Sequence, residues 1–306
     1  MCPRDLLPLA AGENELSCAA GHTYSVLRGV PVLLLDDVEP TQAGYWALGE
    51  EWGFDLAEQQ VSRDGAIHPY VRNVLGGTCG NLYDGLDMKV YPIPELRLPP
   101  GRGRFLEIGS NWGRWCVAAT RLGYAAVGVD PSLGAVLAAR QVASELDADA
   151  DFLVGDGRHL PFEDGTFDVV FSYSVFQHFA RDDARAALRE AVRVLAPGGT
   201  LLVQMPNRYG FWNLLQQARR GFRDASAFGV RYWSPRQLLD AVEHARLEVD
   251  GYFSLNAQAS DIPLLRRRHR IVVRTSEALR LAARALPPLR YVADSLYLRA
   301  RKPRDP

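Results

Sequence analysis

The sequence predicts an α/β protein with a mostly parallel sheet covered by helices on both faces, preceded by a small N-terminal β module. From residue 104 onward, short apolar runs alternate with longer helical stretches, a pattern typical of βαβ units. The first run ends in a glycine-containing turn, as at the ligand-binding edge of such sheets. A length of 306 residues accommodates one full α/β domain and a small additional module.

The alternation assigns each element in turn. Strands are predicted at 104–108, 125–129, 150–154, 167–172 and 200–205, and helices at 114–122, 132–146 and 182–195. Asp182 or Asp183 is expected to cap the last of these helices, and Gly198 to terminate it. Three regions are therefore predicted: a β module at 1–38, an aromatic-rich linker or cap at 39–100, and a catalytic domain at 101–306 with an insert at 206–235.

Composition narrows the function classes. A net charge of −1 provides no global field for nucleic acid or anionic lipid. No secretory signal is visible, the apolar run at 30–35 is too short to cross a bilayer, and Cys2, Cys18, Cys79 and Cys116 form no disulfide framework. We therefore expect a cytoplasmic protein without a transmembrane segment; the sequence does not predict its oligomeric state.

Glycines and carboxylates follow the predicted strands at positions suited to ligand binding. The first strand leads into a loop that contains Glu107, Gly109, Ser110, Asn111 and Gly113, where the backbone can approach a ligand closely. Asp130 ends the second strand, where a carboxylate can accept hydrogen bonds from both ribose hydroxyls. Asp156 follows the third strand and can accept a hydrogen bond from an adenine amino group.

These residues, with the runs 160–162 and 167–170, resemble the class I S-adenosylmethionine-dependent methyltransferase family over about the last two thirds of the chain. The resemblance implies a Rossmann-like sheet closed by an antiparallel hairpin at 247–253 and 294–300. It also implies S-adenosylmethionine as cofactor, with Asp130 at the ribose and Asp156 at the adenine. The implied cofactor-binding residues are Glu107, Gly109, Ser110, Asn111, Gly113, Asp130, Asp156, Gly157 and Ser172.

The alternatives are a dinucleotide site or a plain α/β core. Such a site needs a third loop glycine at the helix start so that a pyrophosphate can approach, and Cys116 occupies that position. The loop also departs from the methyltransferase pattern, since Asn111 stands where the family has its middle glycine. Because Asn tolerates positive φ, we expect the turn to form nevertheless.

His178 follows the fourth strand, and its residue type suits a general base that removes a proton from a hydroxyl acceptor. The alternative is a histidine that only packs or binds a backbone carbonyl. In the insert, Tyr209, Trp212, Arg231 and Tyr232 are predicted to form a wall for the substrate, or else to anchor the insert on the core.

The N-terminal module resembles a zinc ribbon. Its candidate ligands are Cys2, Asp5, Cys18 and His22, with Asp5 at a position where such ribbons carry cysteine. A carboxylate oxygen can also bind zinc, and a set without an open position would make the metal structural. The alternative is a module that has lost its metal.

Four functions remain open. The first is O-methylation of a small molecule or glycan, because the aromatic cap and insert favour an enclosed pocket. The second is RNA methylation, although the only dense basic run, at 266–274, is local and nucleic acid is not an obvious partner. The third is a non-catalytic scaffold or membrane-surface protein that uses a helix at 271–289. The fourth is carbon methylation in quinone-like biosynthesis.

Overall fold

A computed structural model describes residues 1–38, 67–78, 82–83, 86–226, 228–253 and 257–304. The part of the linker or cap at 39–66, with Cys79, lies outside the described residues. The strands are β1 Leu9–Ala11, β2 Glu15–Cys18, β3 Thr23–Leu27, β4 Val30–Leu33, β5 Arg104–Ile108, β6 Ala125–Asp130, β7 Ala150–Gly155, β8 Phe167–Tyr173, β9 Leu195–Pro206, β10 Arg246–Gly251 and β11 Ser295–Arg301.

The helices of the described ranges lie mainly between these strands. They are α1 Pro69–Thr78, α2 Arg114–Arg121, α3 Leu133–Glu145, α4 Arg181–Arg193, α5 Phe211–Arg219, α6 Pro235–Leu239, α7 Arg267–Ala285 and α8 Pro287–Val292. Single 3₁₀ turns occupy Phe176–His178 and Ala259–Leu264. None of the helices in these ranges combines the length and the apolarity that a bilayer crossing requires.

The central sheet confirms the predicted α/β fold. Its strand order is β7-β6-β5-β8-β9-β11-β10, parallel from β7 to β9, with β11 antiparallel to both β9 and β10. The parallel strands bring their carboxyl ends to one edge, and the order reverses beside β5. This is where open α/β sheets bind ligands.

The N-terminal module is continuous with the central sheet. Strands β1 to β4 form an antiparallel meander, and β4 then pairs in parallel with β7, placing Val32 opposite Val154 and Leu33 opposite Gly155. The module therefore forms one edge of an eleven-stranded sheet.

Side-chain alternation along the strands builds a core on each face of the sheet. In β5, Leu106 and Ile108 pack with residues of α4, whereas Phe105 packs with Trp115 of α2 and Val136 of α3. Because both faces are covered, the parallel strands are almost wholly apolar, as the sequence pattern predicted.

The predicted ends of α4 are wrong. Ala180 precedes the helix and provides no side-chain cap. Asp182 and Asp183 lie inside the first turn, where their negative charges interact favourably with the positive end of the helix dipole. The helix ends before Val194. Gly198 instead lies within β9, which begins earlier than predicted because Leu195 already pairs with Phe167 of β8, ahead of a register shift that precedes the pairing of Thr200 with Val169.

Candidate functional site

The loop after β5 depends on backbone conformations that few residues adopt. Gly109, Asn111 and Gly113 have φ values of 78°, 46° and 79°, so asparagine takes the left-handed conformation as predicted. A Cβ atom at Gly113 would lie 2.7 Å from Phe152, and one at Gly109 would collide with the side chain of Val175. The loop therefore packs closely while leaving its backbone facing the sheet edge.

Asp130 connects this loop to α3. Its Oδ2 accepts a hydrogen bond from the Asn111 N–H at 2.9 Å, and its Oδ1 accepts one from the Ser132 N–H at 2.9 Å. Burial raises the pKa of Asp130 to about 6, although both N–H donors lower it. Each oxygen retains a second lone pair, so the carboxylate is fixed in orientation and can still accept hydrogen bonds from a ligand.

Glu107 is buried at the end of β5. Its Oε2 accepts hydrogen bonds from the Cys116 N–H at 3.0 Å and the Cys116 thiol at 3.1 Å. Burial raises the pKa of Glu107 to about 8, outweighing these two hydrogen bonds and the nearby Arg114 charge. The group is therefore mostly protonated at neutral pH without a ligand.

Both carboxyl groups line a cavity of about 360 Å³ at the carboxyl edge of the sheet. Residues from the ends of β5, β6, β8 and β9 form one side, and residues of the 206–235 insert form the other. The lining includes the polar and aromatic residues Glu107, Ser110, Trp115, Asp130, Tyr173, Gln177, His178, Gln204, Asn213, Phe228, Tyr232 and Asp294.

Polar atoms without partners lie in the wall of this cavity. Among the described residues, Ser110 Oγ, Trp115 Nε1 and Gln204 Oε1 are buried and form no hydrogen bond. Buried polar groups are rarely left unsatisfied, because each costs roughly 1–3 kcal/mol. Other atoms of Ser110, Trp115 and Gln204 line the cavity, so these unsatisfied polar groups lie just behind its surface.

Residues 106–203, from β5 through β9, match the family described as methyltransferase domain. This part of the chain is therefore a methyltransferase domain, and the chain is similar to S-adenosylmethionine-dependent methyltransferases.

Individual relatives of this methyltransferase are distant. A ubiquinone biosynthesis O-methyltransferase of Azorhizobium caulinodans is 30% identical over 56% of this chain and 64% of its own length. A demethylmenaquinone methyltransferase of Thermus thermophilus is 42% identical over 36% of this chain and 50% of its own length. The chain thus spans between 34% and 64% of the length of the first curated relatives it matches. Among solved structures, a SAM-dependent methyltransferase from Thermotoga maritima has a TM-score of 0.44 at 22% identity, covering 67% of this chain and 84% of that one.

Several residues of this methyltransferase that the resemblance assigned to the cofactor lie elsewhere. Asp156 is held by Arg158, with 2.6 Å between Oδ2 and Nη2, and Arg158 also pairs with Asp183. The Ser172 hydroxyl donates to the Ile108 carbonyl at 2.9 Å, inside the sheet. Asp156, Gly157 and Ser172 are at the correct edge but outside the lining of the described cavity.

His178 lines the cavity, with both ring nitrogens engaged. Its Nδ1 lies 2.8 Å from the Phe228 carbonyl, which requires a proton on Nδ1, and its Nε2 then accepts from the Gln177 amide at 3.1 Å. The ring stacks on Phe228 at 4.0 Å between centroids. Burial lowers the pKa of His178 to about 4, so the imidazole is neutral at physiological pH.

Only one of the four residues predicted to form a substrate wall, Tyr232, lines the cavity among the described residues. Tyr232 lines the cavity, while Arg231 binds the His178 carbonyl at 2.7 Å and holds the insert against the 3₁₀ turn. Tyr209 and Trp212 are exposed and lie outside the lining of the described cavity.

Sequence reasoning missed a polar group on the insert side of the cavity. The Asn213 amide donates to the carbonyls of Asn207 and Asp294, and the Asp294 carboxylate accepts from the Asn213 and Phe253 N–H groups. Asn213 and Gln217 are spaced by one helical turn in an otherwise apolar and basic segment. That spacing was the available signal.

The N-terminal candidate ligands converge as predicted. Atoms of Cys2, Asp5, Cys18 and His22 all lie within 4.8 Å of one another. His22 Nδ1 is 3.6 Å from Cys2 Sγ, 3.5 Å from Cys18 Sγ and 2.9 Å from Asp5 Oδ2. The cluster lies at the far edge of the sheet, in the module that β4 joins to β7.

Proposed function

We propose that this protein transfers a methyl group from S-adenosylmethionine to an oxygen atom of a small molecule or glycan held in the described cavity. The observation that carries the proposal is the pair of buried carboxyl groups, Glu107 and Asp130, that line one cavity at the carboxyl edge of the sheet. Their oxygen atoms suit a ligand with both hydroxyl groups and positive charge.

Asp130 and Glu107 would contact different parts of the cofactor. Asp130 would accept hydrogen bonds from the ribose hydroxyls, and Glu107 would face the methionine part of the cofactor. When bound, S-adenosylmethionine supplies a methyl group already activated by its sulfonium charge. The protein therefore mainly orients the acceptor and excludes water, effects that can together contribute about 7–11 kcal/mol.

The acceptor end of the cavity favours a planar molecule. Phe228 and Tyr232 contribute aromatic rings, and the stacked His178–Phe228 pair presents a flat face. The curated relatives include proteins named for ubiquinone and demethylmenaquinone, whose names are consistent with a ring-shaped acceptor. Within the proposed class, we therefore favour hydroxylated rings over linear acceptors.

His178 is the proposed general base. Its Nε2 carries the lone pair that would take the proton from the acceptor hydroxyl, and it becomes accessible when the acceptor displaces the Gln177 amide. The Gln177 amide also donates to Ser174 Oγ at 2.8 Å, so it keeps one hydrogen bond after displacement. The Phe228 carbonyl stabilises the imidazolium that would form.

The test combines binding with catalysis. S-adenosylmethionine is titrated into the wild-type chain, Asp130→Asn and the control Asp151→Asn by calorimetry, Asp151 being an exposed carboxylate on neighbouring β7. We expect Asp130→Asn to weaken binding about tenfold or more and Asp151→Asn to leave it unchanged. Transfer of a labelled methyl group to a panel of hydroxylated rings and sugars then identifies the acceptor. Failure of the wild-type chain to bind the cofactor would refute the proposal.

We further propose that Cys2, Asp5, Cys18 and His22 hold a structural zinc ion. Bonds of about 2.3 Å to sulfur and about 2.1 Å to nitrogen in a tetrahedron separate sulfur and nitrogen by roughly 3.5 Å. The sulfur–nitrogen distances in the cluster, 3.5 and 3.6 Å, match this edge. Because the cluster offers a full set of ligands, the metal would stabilise the module and leave no position for a reactive water.

A further inference from the structure

Helix α5 is amphipathic, but it buries its polar side and exposes its apolar side. Its buried residues are the amides Asn213 and Gln217, one turn apart. Its exposed residues include Phe211, Trp212 and Leu215, with Phe211 71% exposed. Surface helices normally bury their apolar stripe, so this helix presents to the outside the face that usually lies in the core.

The reversal is fixed by hydrogen bonds. The Asn213 side chain donates to Asn207 and Asp294 carbonyls at 2.9 and 2.7 Å, and the Gln217 side chain donates to the Arg208 carbonyl at 2.7 Å. Rotating the helix to bury its apolar side would break these bonds and leave buried carbonyl groups unsatisfied. The outward apolar face is therefore a built feature of the fold.

The apolar surface continues onto α8. Asn207, just before α5, donates from its side chain to the carbonyls of Tyr291 and Ala293, both at 2.8 Å, which brings the segment leading into α5 next to the end of α8. The combined surface, here called the α5–α8 surface, is formed by exposed side chains of Tyr209, Phe211, Trp212, Leu214, Leu215, Phe222, Leu286, Tyr291 and Val292. Exposed apolar groups of this extent mark an interaction site.

The charged residues within the segments that form the α5–α8 surface are all arginines. Residues 208–223 contain four arginines and no carboxylate, and residues 281–292 contain Arg284 and Arg290 and no carboxylate. Arg219 and Arg223 are exposed, whereas Arg220 is turned inward to the Val230 carbonyl. Asp224, the nearest carboxylate along the chain, is paired with Arg181 at 3.7 Å.

We propose that the α5–α8 surface docks on the surface of an anionic lipid bilayer. A face with outward aromatic and leucine side chains, bordered by arginines, is the composition of helices that lie in the membrane interface. Trp and Tyr favour this interface, and each arginine near an anionic surface adds attraction. Because the net charge of the chain is −1, attraction to an anionic bilayer has to come from local groups such as these arginines.

The position of α5 gives docking a consequence for substrate choice, which rests on the proposed function. Asn213 on the inner side of α5 lines the cavity, as do Phe228 and Tyr232 from the following loop. Docking would thus bring the acceptor end of the cavity close to the lipid. The acceptor would then be a lipid-soluble molecule taken from the bilayer.

The test is co-sedimentation of the whole chain with vesicles of phosphatidylcholine alone or mixed with phosphatidylglycerol. We expect binding to the anionic vesicles that weakens as salt is raised. Arg219→Ala combined with Arg223→Ala should reduce partitioning about thirtyfold, because each arginine contributes about a factor of five. Phe211→Ser should reduce it about tenfold through lost apolar burial. Brominated lipid should quench the wild-type fluorescence and quench Trp212→Phe less.

Matched controls alter exposed residues elsewhere. Val90→Ser removes an exposed apolar side chain and Arg121→Ala an exposed arginine, and both should bind vesicles like the wild type. Circular dichroism melts establish that each variant is folded. The proposal is overturned if anionic vesicles do not bind, if controls and surface variants bind equally, or if the surface variants abolish only self-association or capture of a protein. Vesicle binding requires no cofactor, so loss of cofactor binding would refute the proposed function alone.

Discussion

Replacing Glu107 by Gln should remove a proton that cofactor binding releases. In the ligand-free chain, burial holds the pKa of Glu107 at about 8. S-adenosylmethionine brings an ammonium group and a sulfonium charge, and an opposite charge within a few ångströms favours the ionised carboxylate. Binding should therefore ionise Glu107 in the wild type, whereas the Glu107→Gln variant carries an amide in the same space and has no proton to lose.

The size of the effect follows from the pKa. At pH 7 a carboxyl group with a pKa of about 8 is about nine tenths protonated, so binding should release about 0.9 proton. Asp130, with a pKa of about 6, is about one tenth protonated at this pH and adds about 0.1. At pH 9 the release should fall to about 0.1, because Glu107 is already ionised.

Calorimetry in buffers of different ionisation enthalpy measures this release. The observed binding enthalpy of the wild type should vary linearly with the buffer enthalpy, with a slope of about one proton at pH 7. Glu107→Gln should reduce the slope to about 0.1, whereas Glu95→Gln, at an exposed position, should leave it unchanged. A wild type that binds the cofactor with no buffer dependence would show that Glu107 does not sense the cofactor charge.

Four further predictions concern other groups and conditions. Without ligand, the stability of the wild type relative to Glu107→Gln should fall by up to about 1.4 kcal/mol per pH unit between about pH 4.5 and 8, because the folded wild type holds the Glu107 proton more tightly; melts with the same pH dependence for both chains would contradict this. If His178 is the base, its pKa of about 4 makes kcat/KM for the acceptor, measured at saturating cofactor, independent of pH above about 5, and a tenfold rise per unit from pH 6 to 9 would contradict this role. Gly109→Ala should destabilise the fold by about 2–4 kcal/mol in denaturant titrations through collision with a neighbouring valine; Gly21→Ala, with equally positive φ but open space, should cost less. Cys18→Ser should abolish binding of about one zinc ion per chain, measured by metal analysis, and lower the melting temperature; an unchanged metal content would remove the cluster as a zinc site.

The central sheet could be predicted from the sequence because its signals are local. Apolar runs such as 104–108 and 167–172 lie between glycine turns and helical stretches, and each became a strand within a residue or two. Asn111 could be expected to take positive φ because its side chain tolerates that conformation. The N-terminal ligand set also followed from residue type and spacing, since a short β meander brings its turns together.

The surroundings of the cavity could not be predicted in the same way, because they depend on contacts between distant segments. Whether Asp156 faces a ligand or an arginine is decided by Arg158, whose side chain spans to Asp183 on α4. The engagement of His178 depends on Phe228, fifty residues along the chain. The exposed positions of Tyr209 and Trp212 follow from the inward amides of α5, and a pattern search that treats aromatic residues as buried misses this arrangement.

The parallel pairing of β4 with β7 assigns the N-terminal module a protective task. A strand as apolar as β7, left with one row of N–H and C=O groups unpaired, would offer a template on which another chain could add a strand. The meander β1 to β4 covers this edge, because β4 pairs with β7. The exposed edge of the sheet is then the short strand Leu9–Ala11, whose side chains are mostly solvated. A chain cut before residue 104 would therefore be expected to aggregate even though Glu107, Asp130 and His178 remain.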